Sequence, residues 1–128
     1  MRRARFEARV GEVIDRGWVT LHRYRHSFQK LGSDGTAKGT IVAAPEQVVH
    51  GVLYEIDDRQ LEVLTRWEGG YRRIDVDIDG AAAITFEALR LVDGVQPADD
   101  YLEHYFAGMT EHGLPQEYIE LIRRQSGR

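Results

Sequence analysis

Apolar residues change their spacing several times along the chain, and each change marks an element. Residues 3–9 are polar, with Phe6 and Val10 four apart, the spacing of one or two helical turns. From Gly17 to Leu31 the apolar and aromatic positions favour a strand: Trp18, Val19, Leu21, Tyr24 and Phe28. Gly32-Ser33-Asp34-Gly35 is a turn cluster. Thr40-Ile41-Val42 predicts a short second strand, and Gln47 to Ile56 another. Asp57-Asp58 then offers an N-cap before a helical pattern at Leu61, Leu64 and Trp67, which Gly69-Gly70 ends. Arg73 to Asp79 alternates strictly, with Ile74, Val76 and Ile78 on one face and three aspartates on the other. Asp79-Gly80 turns the chain into a further strand from Ala82 to Leu91. From Ala98 the period is helical through Tyr101, Leu102, Tyr105, Phe106 and Met109. Gly113-Leu114-Pro115 breaks that helix, and a last short one carries Tyr118, Ile119 and Ile122.

Strands dominate to residue 91 and helices close the chain, which predicts an α+β fold. Its sheet would be small, mixed, mostly antiparallel and barrel-like, with one inserted helix and C-terminal helices. Pro45, Pro97 and Pro115 each sit at an expected element boundary. At 128 residues the chain is expected to form a single domain, residues 1–128.

Composition narrows the chemistry. The chain has no cysteine, which excludes disulfides, thiolate catalysis and cysteine-based zinc sites. No apolar run approaches the ~20 residues of a membrane helix, and no signal-peptide segment follows Met1-Arg2-Arg3. A cytoplasmic protein with no membrane partner is the expectation. Net charge is −4, but residues 1–30 carry eight Arg and Lys against three acids. The arginines are spaced out, so this reads as a solvated basic face rather than a nucleic-acid site.

Several motifs reduce to structure. His22 and His26 are four apart but have no third ligand at a metal spacing and stand beside Arg23 and Arg25. Asp75, Asp77 and Asp79 resemble the start of a calcium loop, but Val76 and Ile78 fit a strand and no closing glutamate follows. Gly32, Gly35 and Gly39 lack the Gly-Lys-Ser/Thr of a phosphate loop. No serine lies in a Gly-x-Ser-x-Gly elbow. No metal and no organic cofactor is expected.

Glu68 is different. It closes a helix, between Trp67 and Gly69-Gly70-Tyr71. A carboxylate there opposes the helix dipole, and aromatic neighbours desolvate it. Both effects raise its pKa toward the range of a general base.

Gly51-Val52-Leu53-Tyr54-Glu55-Ile56, the Leu61/Leu64 helix and Trp67-Glu68-Gly69-Gly70-Tyr71 together resemble the γ-glutamylcyclotransferase-like family. Gly39-Thr40-Ile41-Val42 with Pro45 also fits. So does the closing series Pro97, Tyr101-Leu102, Gly108-Met109, Glu111-His112-Gly113-Leu114-Pro115 and Tyr118. The resemblance covers nearly the whole chain and implies a small mixed α/β barrel. It implies a cytoplasmic transferase or lyase of glutathione metabolism, releasing 5-oxoproline from a small γ-glutamyl peptide or amine. Glu68 would be the general base, with Tyr71, Tyr101 and Leu114 binding substrate. The alternative is a non-catalytic member that holds a small amino-acid-like ligand or a partner protein in the same cavity.

One departure stands out. Family members begin with a strand ending in Tyr-Gly-Ser-Asn, whose amides hold the γ-glutamyl group, and this sequence has no such segment. One expectation is that Met1 is an internal residue of that motif in a longer protein. The other is that the chain begins there without the loop. Either way, an unpaired sheet edge is expected, with lower stability or a homodimer formed by strand pairing.

Overall fold

The protein, seen as a computed structural model, is described over residues 2–128; Met1, and with it the expectation about the chain's start, lies outside them. Helix α1 spans Arg3–Val10 and is followed by a long hairpin of β1, Ile14–Leu31, and β2, Ala37–Glu55. Helix α2, Asp58–Trp67, leads to a second hairpin of β3, Tyr71–Ile78, and β4, Ala81–Ala88. Helices α3, Asp99–Glu111, and α4, Gln116–Gln125, complete the chain. This is the expected α+β class with antiparallel strands, one inserted helix and two C-terminal helices.

The strands form two two-stranded ladders, β1–β2 and β3–β4. Side-chain and loop hydrogen bonds link the hairpins: the Ala88 N–H donates to Thr40 Oγ1 at 2.9 Å, and the Val92 N–H to the Gln29 carbonyl at 2.8 Å. Periodicity finds each strand but is silent about which strands share a ladder.

Two expected strands are in fact one. Thr40–Val42 and 47–56 both belong to β2, and Pro45 lies inside it rather than at its boundary. The register explains why. His22 faces Val48 and Tyr24 faces Ala43, so 44–47 bulge opposite Arg23 alone, whose φ is 71°. Proline has no N–H to donate, and a bulge asks for none.

Helix α2 begins as expected. Asp57 Oδ1 accepts from the Gln60 N–H at 2.7 Å, while Gln60 Oε1 accepts from the Asp57 N–H at 2.9 Å, a reciprocal capping box. The β3–β4 turn uses positive φ at both Asp79 and Gly80, 51° and 86°, which matches the twist of a two-residue hairpin.

Two apolar clusters hold the elements. Leu102, Met109, Leu114, Ile119 and Ile122 of the C-terminal helices and their connection pack against Phe28 and Ala37 of the long hairpin. Phe6 of α1 packs with Val13 and Leu64, and its ring stacks on Tyr54 at 4.5 Å. The second cluster sets α1 beside α2, the helix that ends at Glu68.

Candidate functional site

Glu68 is the C-cap of α2; its N–H donates to the Leu64 carbonyl at 3.1 Å. The chain then turns at once, with the Tyr71 N–H donating to the Glu68 carbonyl at 3.1 Å. Gly70 makes this turn with φ 82°, and a Cβ there would lie 2.8 Å from Lys30 Cε. The positive φ favours glycine here, and a side chain would also push the Lys30 ammonium aside. Glu68 and Tyr71 are thus held on the same wall by one local turn.

That wall borders an open cleft of about 560 Å³. Arg2, the N-cap of α1, and Arg5 and Arg9 within it line the cleft, being three and four apart and so on one side of the helix. The end of the first hairpin contributes Lys30 and Lys38; α3 contributes Tyr101, His104 and Tyr105. Arg66, Trp67 and Glu68 come from the end of α2. The lining therefore holds six cationic side chains and one acid, Glu68, in a protein whose net charge is −4.

Burial pushes the Glu68 carboxyl above its ordinary value, and the positive charges of Arg9 and Lys30 partly oppose this. Among the described residues no side chain donates a hydrogen bond to it. Desolvation thus leads the shift that sequence reasoning divided between the helix dipole and aromatic neighbours. Trp67 itself is mostly exposed, with the Arg9 guanidinium 5.2 Å from its ring centre.

Tyr71 and Tyr101 meet at one residue of β2. The Tyr71 hydroxyl donates to the Gly39 carbonyl at 2.7 Å, and the Gly39 N–H donates to the Tyr101 oxygen at 2.8 Å. The two hydroxyls are therefore left in different states. Tyr71 has committed its proton, whereas Tyr101 accepts from Gly39 and its own O–H has no acceptor among the described residues. Burial, opposed in part by the Gly39 hydrogen bond, pushes Tyr101 up to about 12, so it stays protonated near neutrality. Burial also raises Tyr71, and the Glu68 charge acts on both phenols in the same direction.

Leu114 is placed elsewhere. It is buried in the C-terminal core and lines a smaller neighbouring cavity of about 210 Å³, with Tyr118 and Ile122. Tyr105 borders both spaces. The structure thus groups Glu68, Tyr71 and Tyr101, and leaves Leu114 behind the tyrosine wall.

Sequence reasoning missed three contributors. Gly39, read only as a glycine without a phosphate-loop motif and as part of the family-like Gly39–Val42 series, is the anchor for two tyrosines. His26 is buried; its Nδ1 meets Gln125 Oε1 at 2.8 Å and its Nε2 meets the Tyr105 hydroxyl at 2.6 Å. With Gln125 accepting, the His26 proton sits on Nδ1, and Nε2 accepts from Tyr105. The third is the basic face of α1. Arg2, Arg5 and Arg9 are half-buried against the cleft rather than fully solvated. Their three-and-four spacing, in a segment already read as helical, was the available signal.

The remaining motifs have structural places. His22 is exposed on β1, well apart from the buried environment of His26. Asp77 accepts from the Gly80 N–H at 2.8 Å and closes the hairpin turn. Among the described residues, no three His, Asp or Glu side chains form a metal-binding group. No described helix is long and apolar enough to cross a membrane.

Comparison with known proteins adds the family. The model of the AIG2-like family matches residues 48–122. No curated protein matches the chain by sequence. Among solved structures, a γ-glutamyl cyclotransferase superposes with a TM-score of 0.86 at 20% identity, over 95% of this chain and 80% of that one. The uncharacterized protein loc79017 from Homo sapiens gives 0.82 at 22% identity, over 93% and 78%. YkqA from Bacillus subtilis gives 0.76 at 22% identity, over 97% of this chain and 48% of its own. At these identities the likeness is one of fold.

Proposed function

The chain belongs to the AIG2-like family, and from that premise we propose that it cyclises the γ-glutamyl group of a small peptide or amine, releasing 5-oxoproline. The observation that carries the reading is Glu68. Among the described residues it is a desolvated carboxylate with no hydrogen-bond donor, in a cleft that also holds a phenol, Tyr101, whose O–H has no acceptor.

In this reading the substrate's α-ammonium gives a proton to Glu68. The freed amine attacks the γ-carbonyl carbon, and a new C–N bond closes the five-membered ring. Negative charge builds on the carbonyl oxygen, where the Tyr101 O–H and the surrounding cations stabilise it. Glu68 passes its proton to the leaving nitrogen as that C–N bond breaks and the carbonyl re-forms; the ring nitrogen gives up its second proton through Glu68 to the departing amine, which leaves as its ammonium ion. Glu68 suits these transfers because burial has brought its pKa nearer to neutrality.

The test is 5-oxoproline release from a panel of γ-glutamyl dipeptides, glutathione and γ-glutamyl amines, followed by mass spectrometry. Release by the wild type and its loss in Glu68→Gln are expected. An unchanged rate in Glu68→Gln removes this residue from the mechanism. Absence of release from every compound by the wild type overturns the reading and favours ligand binding without turnover.

A further inference from the structure

We propose that the cleft selects γ-glutamyl compounds whose leaving group carries two or more negative charges, with Arg5 and Arg66 as specificity-determining residues. The inference specifies the leaving group and rests on the cyclisation proposed above.

Among the described residues, unpaired arginines also occur elsewhere on the surface; what sets the cleft apart is that six cations line one concavity with a single acid, Glu68. Of these six cations, among the described residues only Lys38 has an acidic partner, Asp34 at 3.2 Å. Arg2 Nη1 lies 3.1 Å from His104 Nδ1 rather than beside an acid. Arg9 and Lys30 lie over the rings of Trp67 and Tyr71 and share the charge of Glu68, with no ion pair to an acid of their own among the described residues. Arg3 and Arg5 are two apart on one helix, yet only Arg3, turned away from the cleft, is in an ion pair.

Holding these like charges around one concavity costs free energy unless a ligand neutralises them. Glu68 answers only one of them. A γ-glutamyl head brings one carboxylate and one α-ammonium, so it changes the balance by nothing. The excess positive charge therefore falls to the leaving group. A protonated amine there would add to the repulsion, and a single carboxylate would relieve little of it. The volume, about 560 Å³, exceeds what a glutamyl group fills and lies within the ~300–1,000 Å³ of ordinary ligand sites. Arg5 from α1 and Arg66 from α2 have no hydrogen-bonding partner among the described residues, which leaves both guanidinium forks free for carboxylate or phosphate.

The experiment compares kcat/KM for γ-glutamyl-glutamate, γ-glutamyl-phosphoethanolamine, γ-glutamyl-alanine and γ-glutamyl-butylamine. The first two separate a second carboxylate from a phosphate. Either is expected to exceed γ-glutamyl-alanine by about tenfold at low salt, with the advantage shrinking as salt is added. In Arg5→Ala/Arg66→Ala this ratio falls toward one, and the change appears in KM. In parallel, titration with tricarballylate, a tricarboxylate that cannot cyclise, is followed by NMR in both proteins. Turnover with equal rates, or with the butylamine compound preferred, overturns the charge inference and leaves the cyclotransferase reading standing. No turnover, but saturable tricarballylate binding that weakens in the double variant, does the reverse. Neither turnover nor binding overturns both.

Discussion

The Tyr71 hydroxyl donates to the Gly39 carbonyl oxygen at 2.7 Å, fastening the strand that follows Glu68 to the middle of β2. Gly39 also donates to Tyr101, and the space above its Cα is already filled. A Cβ there would stand 2.5 Å from the Tyr105 hydroxyl and 3.3 Å from His26 Nε2. Gly39→Ala is therefore expected to destabilise the fold by about 1–3 kcal/mol, as overpacking does. Chemical denaturation measures the loss. Cyclisation should fall further than stability, because both tyrosines shift.

Glu68→Gln should separate stability from function. Burial raises the native pKa of Glu68, so the native state binds its proton more tightly than the unfolded chain does. The resulting stabilisation is complete below the unfolded pKa and is lost as pH rises through the native one. Near neutrality the buried charge is a liability, and Glu68→Gln is expected to raise Tm at pH 7 while lowering kcat by ~10²–10⁴. A lower Tm would contradict this account of the site.

Arg9 should tune the base. Its charge lowers the Glu68 pKa, against the larger effect of burial. Removing it in Arg9→Ala favours the protonated carboxyl. The rising limb of the kcat–pH profile, which reports deprotonation of the base, is expected to move to higher pH. A limb that stays in place assigns that ionisation to another group.

His26 predicts acid sensitivity. Burial lowers its pKa from 6.5 to about 4, against the opposing effect of the hydrogen bond that its Nδ1–H donates to Gln125. The unfolded chain then binds the proton more readily, so stability falls as pH drops from about 6.5 and levels off near 4. The full effect is about 3 kcal/mol at ~1.4 kcal/mol per pKa unit. Urea melts between pH 4 and 7 on the wild type and His26→Gln measure this. The variant should lose most of the slope in that window.

The capping box of α2 should matter to a residue it never touches. Asp57→Ala removes the acceptor for the Gln60 N–H and is expected to cost ~0.5–2 kcal/mol. Fraying then begins one helix away from Glu68. Hydrogen exchange should show faster opening through α2, with β3 and β4 unchanged.

Much of this was legible along the chain because it depends on neighbours. Asp57 and Gln60, three apart, specify the start of α2, and Gly69-Gly70 its end. The alternation of Ile74, Val76 and Ile78 specifies a half-buried strand. Even the pairing of Glu68 with Tyr71 is local, since one turn joins them. The site's other half was not legible. Tyr101 reaches Gly39 across 62 residues, and His26 reaches Tyr105 across 79. Helical period marks Tyr101 as inward-facing but does not say what it faces. The same limit hid Leu114, apolar beside a turn, which packing draws into the core and away from the cleft. It also hid the bulge that lets Pro45 sit inside β2. Periodicity fixes which face of each element is apolar, because that follows from the geometry of one helix or strand. Only tertiary packing decides which faces meet, because that depends on shape and charge brought together from distant parts of the chain. Six cations scattered between Arg2 and Arg66 became one cleft in that way.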